Sequence, residues 1–429
     1  MRKRRPLFSI AALATLVGLL TMLLAACGSS STSSGSTSSG PVTLNYWYTE
    51  GTSETPVILS LIQQFQQQNP NIKINAQDVP FADAQSKFAT SAQAGKAPDI
   101  LRSDVGWVTQ FASLRYLLPI DSMVSQSDLS DYLAAPLNYD KYQGKLYGLP
   151  QVTDFLALLY NKAVLAKAGI TTPPATMADF EADAMKVVKG HAAKYGFETS
   201  GASYFALPFL WAFGGGMIDS NKTILVNNSG SIAGLNFLLK LQNQDKVMPA
   251  KVDFNNGYNN MVTDFKDGQT AIIFQGPWEV SNILTGSAFA SSASNLGIAG
   301  IPTGPGGATG SPVGGQSYVI YAGTAHPAEA YKFISFMSST ASQVAIAKAN
   351  HTLPTRQSAY QDSSVSGDAV ISGYHAVQST AVNRPIIPQG GQLFTDFDPN
   401  IQAALAGAKT PSDALNAVAQ KWQALLAGS

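Results

Sequence analysis

The chain of 429 residues carries 27 basic and 27 acidic residues, and this even balance argues against a nucleic-acid partner. Only 13% of residues are charged, and Gln, Asn, Ser and Thr are abundant, as on a surface that handles neutral polar molecules. One cysteine, Cys27, excludes an internal disulfide, and the length exceeds what one core usually supports, which predicts two lobes.

The first residues, "MRKRRPLFSIAALATLVGLLTMLLAACGSS", combine a basic start, an apolar stretch from Leu7 and small residues at Ala25 and Ala26. That pattern is a secretory signal; an uncleaved anchor helix is the other reading, since the run is nearly long enough to span a bilayer. The order Leu24, Ala25, Ala26, Cys27, Gly28 resembles the lipobox of bacterial lipoproteins, which implies cleavage and acylation of Cys27. Removing Arg2, Lys3, Arg4 and Arg5 with the signal leaves 23 basic residues against 27 acidic ones, a net charge of minus four. "SSSTSSGSTSSG" over 29–40 is a flexible Ser/Gly tether, and the globular part begins near Pro41.

From there the pattern reads strand ("TLNYWYT"), helix ("PVILSLIQQFQQQNP"), strand ("IKINAQDV"). Val57, Ile58, Leu61, Ile62 and Phe65 share one helical face, whereas Ile72, Ile74 and Ala76 alternate with polar residues. A second helix from about Asp83 to Ala94 should stop at Gly95 before a buried strand from Pro98. This is the β-α-β-α-β start of an α/β lobe with a largely parallel sheet. Beyond Pro150, "LALLYNK" is a strand, Thr176 caps a helix, and "SYFALPFLWAF" is helical until Gly214, Gly215 and Gly216. Ser229 or Ser231 caps a helix reaching Leu241, Pro327 opens "AEAYKFISFM", and Thr410 with Pro411 opens a last helix with Leu415, Val418, Trp422 and Leu425 on one face. The loops around Pro150 and "IPTGPGGATGSPVGGQ" from Ile301 are natural crossings between lobes.

One stretch stands out. In "FKDGQTAIIFQGPWEV" a short apolar run, Ala271 to Phe274, ends in Gly276 and Pro277, as a buried strand does, and then sets Trp278 beside Glu279. An indole and a carboxylate at a strand's exit fit either a binding surface or a packed corner. Catalytic and metal motifs are missing: His191, His326, His351 and His375 lack zinc-site spacing, no G-x-S-x-G elbow occurs, and the glycines after Ile301 have the wrong spacing for a dinucleotide fingerprint. A glycosidase needs only two carboxylates, so a lipid-anchored carbohydrate-active hydrolase stays open.

Five stretches together resemble the extracellular solute-binding lipoproteins of ATP-driven sugar importers, the group of maltose- and trehalose/maltose-binding proteins. They are the lipobox with its tether, "APDILRSDVGWVTQFASLRYLLPI", "KLYGLPQVTDFLALLYNKAVLAKAGI", "FKDGQTAIIFQGPWEV", and "PAEAYKFISFM" with "NHTLPTRQSAY". The resemblance implies an α/β, two-lobed periplasmic-binding-protein-like fold, a Venus flytrap. Each lobe would be a mostly parallel sheet flanked by helices, joined by a two- or three-strand hinge. The segments would be a signal peptide over 1–26, the lipidated Cys27 and tether over 27–40, lobe 1 from 41–153 plus 302–353, and lobe 2 from 154–301 plus 354–429. It implies no cofactor, no metal and no catalysis. Its partners would be a carbohydrate ligand, permease subunits with a cytoplasmic ATPase, and the outer face of the cytoplasmic membrane through the lipid anchor, with the protein a monomer. A ligand-binding sensory lipoprotein without transport shares all of these features except the permease.

A sugar presents hydroxyls on its rim and C–H patches on its faces, so its site needs hydrogen-bonding groups in the ring plane and aromatic plates above it. The resemblance places Trp278 as a plate, after Gly-Pro where the family carries its binding tryptophan, with Glu279 at the rim. It places Glu50 in the loop after the first strand, and Asp104 and Trp107 after "DIL", although Arg102 and Ser103 depart from the aromatic residues of maltodextrin binders. Asp154 stands where relatives have a longer hinge glutamate. Tyr204 and Trp211 match a segment with a stacking tyrosine, and Trp211 equally fits a core role. Gly315 and Gln316 mark the strand re-entering the first lobe, Arg356 is a donor or a surface-loop residue, and Phe394 replaces a late tryptophan plate, which points to a smaller or different saccharide than a long maltodextrin.

Overall fold

A computed structural model describes residues 40–428, so the signal segment, Cys27 and all but the last tether residue lie outside the described region. The strands, in chain order, are β1 (Val42–Tyr48), β2 (Ile72–Asp78), β3 (Ile100–Asp104), the hairpin β4 (Lys141–Tyr142) and β5 (Lys145–Leu146), β6 (Gly148–Phe155), β7 (Ala157–Asn161), β8 (Tyr195–Glu198), β9 (Thr270–Gln275), β10 (Leu296–Ala299), β11 (Ser311–Ile320), β12 (Leu353–Pro354) and β13 (Ala381–Val382).

The opening of the chain folds as its periodicity predicts. Helix Thr55–Gln68 buries Ile58, Leu61, Ile62 and Phe65, and helix Phe81–Gln93 buries Ala84, Phe88 and Ala92 before the chain turns at Gly95 with φ 70°, a conformation that glycine adopts without a steric penalty. These helices connect parallel strands β2, β1 and β3. Returning strands extend the sheet in the order β12-β6-β11-β3-β1-β2, with β13 on β11, and β11 and β6 join it antiparallel. A second sheet has the order β10-β7-β9-β8, parallel at β8–β9 and antiparallel elsewhere. Both sheets are therefore mixed, with the expected parallel order confined to β2-β1-β3, the short β11-β13 pair and β8-β9.

Two sheets give two bodies. The first packs Tyr46, Phe65, Tyr318 and Phe333 on one face and Phe88, Phe111 and Val319 on the other. The second gathers Phe180, Phe197, Phe209 and Phe274 with the last helix, Pro411–Ala427, whose Leu415, Val418 and Trp422 are fully buried. The indole of Trp422 donates to the Leu393 carbonyl at 3.1 Å. Thr176 caps helix Met177–Lys189 in a reciprocal capping box with Asp179. For helix Ser229–Asn243 the cap is Asn228 rather than either serine, because its side chain reaches the Ser231 amide at 2.7 Å.

The crossings are short. β6 pairs with β11 up to Phe155 and Val313, and after the single residue Leu156 the chain begins β7, where Ala157 pairs with Gln275 in the other sheet. Within β6 the register shifts: Gln316 faces Val152 and the next residue, Ser317, faces Pro150. Gln151 is left over as a bulge, the device that re-aims a side chain.

Candidate functional site

Where β3 ends, Asp104 caps helix Val105–Ser113 by accepting from the Gly106 amide at 2.7 Å. Its carboxylate also accepts from Arg384 Nη2 at 3.0 Å and 3.2 Å. Arg384 follows β13, donates Nε–H to the Val313 carbonyl at 2.7 Å, and lies over the rings of Tyr204 at 5.8 Å and Phe394 at 5.9 Å. Burial alone would lower the arginine's pKa; Asp104, with Tyr204, Tyr139 and Asp154, outweighs it and raises it. One guanidinium thus gathers a carboxylate from the first sheet and two aromatic rings from the second body.

Asp154, near the end of β6, completes this cluster. Its carboxylate lies against Gly314, where a Cβ would fall 2.1 Å from Oδ1 and 2.9 Å from the Tyr204 hydroxyl, so only glycine fits between them. Tyr204 itself donates to the Pro312 carbonyl at 2.9 Å. Gly315 has φ 132° and its Cβ would meet the Val152 carbonyl at 2.4 Å. Burial, reinforced by Asp104, pushes the Asp154 carboxyl up to about 7 against the pull of Arg384 and Arg102.

Beside it, Arg102 binds Glu50 Oε1 at 2.9 Å, Gln151 Oε1 at 2.6 Å, Thr49 Oγ1 at 3.1 Å and Gln316 Oε1 at 3.0 Å. Glu50 is therefore a buried partner of Arg102, and its Oε2 is buried without a hydrogen-bond partner. Glu54, at the start of helix Thr55–Gln68, is also buried, and burial raises it to about 7 with Glu50 adding to the effect and Arg102 opposing it.

On the second body Trp278 is half-buried after β9 and donates its indole N–H to the Tyr258 hydroxyl at 2.8 Å. Its ring folds back over Gly276, where any side chain would collide with it. Burial raises the Glu279 carboxyl, while Asn282 and Lys266 pull it down. Burial raises the Tyr258 hydroxyl well above its ordinary value, and the charges of Glu279 and Glu54 add to the effect.

Three predicted residues are engaged elsewhere. Trp107 stacks near Phe81, with ring centroids 5.0 Å apart, and packs under Gly391. Trp211 is half-buried, lies against Gly216 and Gly310 and packs on the core of the second body. Arg356 binds the Ser338 carbonyl at 2.6 Å, Asp131 at 3.1 Å, the Tyr132 hydroxyl at 2.8 Å and Asp128 at 2.8 Å, so it staples the first body. Conversely, sequence reasoning passed over Arg384, Gln151, Tyr258 and Glu54. Arg384 stands before a proline in "VNRPIIP", a context that reads as an extended loop; Gln151 needed the bulge to be seen.

Two α/β bodies joined by short strand crossings, with carboxylates, arginines and aromatic rings converging between them, define a bilobal solute-binding protein. The chain matches the model of the bacterial extracellular solute-binding protein family over residues 51–344, more than half its length, and belongs to that family. Among solved structures, the GacH receptor of Streptomyces glaucescens, studied unliganded and with acarbose, is 32% identical with a TM-score of 0.85, covering 90% of this chain and 98% of that one. A maltooligosaccharide ABC transporter solute-binding lipoprotein of Streptococcus pneumoniae strain R6 is 26% identical over 93% of both chains. The galactooligosaccharide-binding protein of Bacillus subtilis is 24% identical over 94% of both.

Proposed function

We propose that this chain is the receptor of an ABC-type importer and closes over a neutral sugar or short oligosaccharide between its two bodies. The observation that carries this reading is the meeting of Asp104 and Asp154, with the neighbouring Gln316, from the first sheet with Tyr204 and Phe394 from the second body around Arg384: polar groups for a hydroxyl rim and rings for apolar sugar faces, to which Trp278 would add a further plate. Relatives named for maltooligosaccharides and galactooligosaccharides support the solute class. A solute touching both sides favours the closed form by its extra contacts there, and the closed form is what a permease and its ATPase would receive. The lobes would comprise 41–153 with 302–353 and 154–301 with 354–429, except that Asp154, Phe155 and the loop of Arg356 go with the first lobe, to which they are bonded. Acylated Cys27 would hold the exported monomer at the outer face of the cytoplasmic membrane, and no bond in the solute would be broken.

The test is a thermal-shift screen of the chain from Pro41 onward against mono-, di- and oligosaccharides, with tryptophan fluorescence read in parallel. At a hundred times its Kd, a solute that binds only the folded state adds about 2.7 kcal/mol. The expected result is a raised midpoint, a fluorescence change and a solute recovered intact. A cleaved sugar would establish the hydrolase instead, and a flat screen would remove the sugar assignment.

A further inference from the structure

We propose that Arg102 is a positioning residue that fixes the carboxamide of Gln316 as a hydrogen-bond donor to the bound solute. The inference rests on the receptor reading above and adds to it a demand on the solute: an oxygen that accepts at this point.

Arg102 does not itself reach the solute. Its Nε–H goes to Glu50 and Gln151, its Nη1 to Thr49 and its Nη2 to Gln316, and the residue is buried. Guanidinium groups only donate. Whichever end of the Gln316 amide faces Arg102 must therefore be its oxygen, and the nitrogen is turned away. Among the described residues that nitrogen has no hydrogen-bond partner, although the oxygen is held at 3.0 Å.

The strand decides where the nitrogen points. Every residue of β11 is buried except Gln316. Alternate residues of a strand share a face, so Gln316 lies on the face of Gly314, against which the Asp154 carboxylate and the Tyr204 hydroxyl are packed. Across the sheet Gln316 is paired with Asp104 on one side and Val152 on the other. The bulge at Gln151 completes the clamp: Gln151 accepts from Arg102 and donates to Glu50 at 3.1 Å, so the guanidinium plane is held from both crossing strands.

The consequence is chemical. Asp104 is engaged by Arg384 and the Gly106 amide, a carboxylate at Asp154 only accepts, the indole N–H of Trp278 is taken by Tyr258, and two donor groups of Arg384 are taken by Val313 and Asp104. A donor at Gln316 suits the ring or glycosidic oxygen of a saccharide, which accepts and has no hydrogen to give. Were the amide free to flip, it would accept a hydroxyl equally well, and the cleft would lose that discrimination.

Calorimetric titration with maltotriose and with acarbose tests this on the chain from Pro41, with a melt recorded for every variant. Gln316→Glu is nearly isosteric, keeps a partner for Arg102 and has no N–H; it is expected to weaken binding at least tenfold without lowering the melting midpoint. Gln316→Ala is expected to lose a similar factor. Arg102→Lys keeps the charge beside Glu50 but not the planar fork; it is expected to cost several-fold in the parent chain and nearly nothing in the Gln316→Ala background, the coupling expected of two groups acting as one. Parent-like binding by Gln316→Glu, or an equal cost of Arg102→Lys in both backgrounds, would overturn the inference and leave the receptor reading intact. If the parent chain binds neither probe nor any sugar of the screen, the receptor reading fails and takes this inference with it.

Discussion

Asp104 and Arg384 stand 280 positions apart in the chain, and Arg384 Nη2 lies 3.0 Å and 3.2 Å from the two carboxylate oxygens of Asp104. The pair joins the end of β3 to the segment that leaves β13, and both residues are buried.

Arg384→Met should destabilise the folded chain by about 3–5 kcal/mol, because it leaves the Asp104 charge buried with only the Gly106 amide for company. Asp104→Asn in the same chain should return much of that loss. Urea titrations of the two single variants and the double variant check this; additive losses would mean that the two side chains act independently.

Trp278→Ala should weaken solute binding by about 1–3 kcal/mol, the scale of burying an aromatic plate. Tyr258→Phe removes the acceptor for the indole N–H at 2.8 Å, and its expected effect is smaller, about 1 kcal/mol. Calorimetry gives both values, and a change confined to melting behaviour would assign Trp278 to the packed corner.

Affinity should rise with pH between about 6 and 8. Asp154, raised by burial and by Asp104 to about 7, accepts hydroxyl hydrogens best when ionised, so binding is weak where it is protonated and strengthens as the proton leaves. The groups acting on it are Asp104, Arg384, Arg102 and Glu54, and it acts in turn on Tyr204 and Tyr374. Asp154→Asn should flatten most of the profile. Glu54, also raised to about 7, accounts for the remainder, to be read from Glu54→Gln.

Stability should follow a different course. Asp140 is fully buried, accepts one hydrogen bond from Ser317 at 2.9 Å and leaves Oδ1 without a partner; burial pushes it up to about 8. A carboxyl with a raised folded-state pKa contributes fully below its ordinary range near 4, and that contribution is lost as pH rises through about 8. Asp140→Asn should therefore gain on the parent by about 1–3 kcal/mol from pH 5 to pH 8, and melts across that range measure the difference.

Local elements were legible because their signals are local. The face of helix Thr55–Gln68, the cap at Thr176 and the stop at Gly95 depend on spacings of a few residues, and each appears in the fold. Asp104, Asp154, Tyr204 and Phe394 were named from the family resemblance and come together around one guanidinium. That guanidinium was invisible, since nothing near Arg384 in sequence signals a partner 280 residues away. Arg356 misled for the converse reason: a loop arginine looks free until Asp128, Asp131 and Tyr132 surround it. Gln151 depends on a bulge between two strands that are over 150 residues apart, which no single-segment pattern encodes.

The lone Leu156 between β6 and β7 has an evolutionary consequence. Residues on either side of it are committed to different sheets, Phe155 to Val313 and Ala157 to Gln275. An inserted residue would invert the alternation of β7 and displace Asn161, whose side chain caps the following helix at 3.1 Å. By contrast, Gly306 and Gly307 have open space around them, where surface loops absorb length changes at small entropic cost. Insertions and deletions should accumulate at the second place and be purged at the first, so chain length at this junction, rather than residue type, is the quantity held fixed.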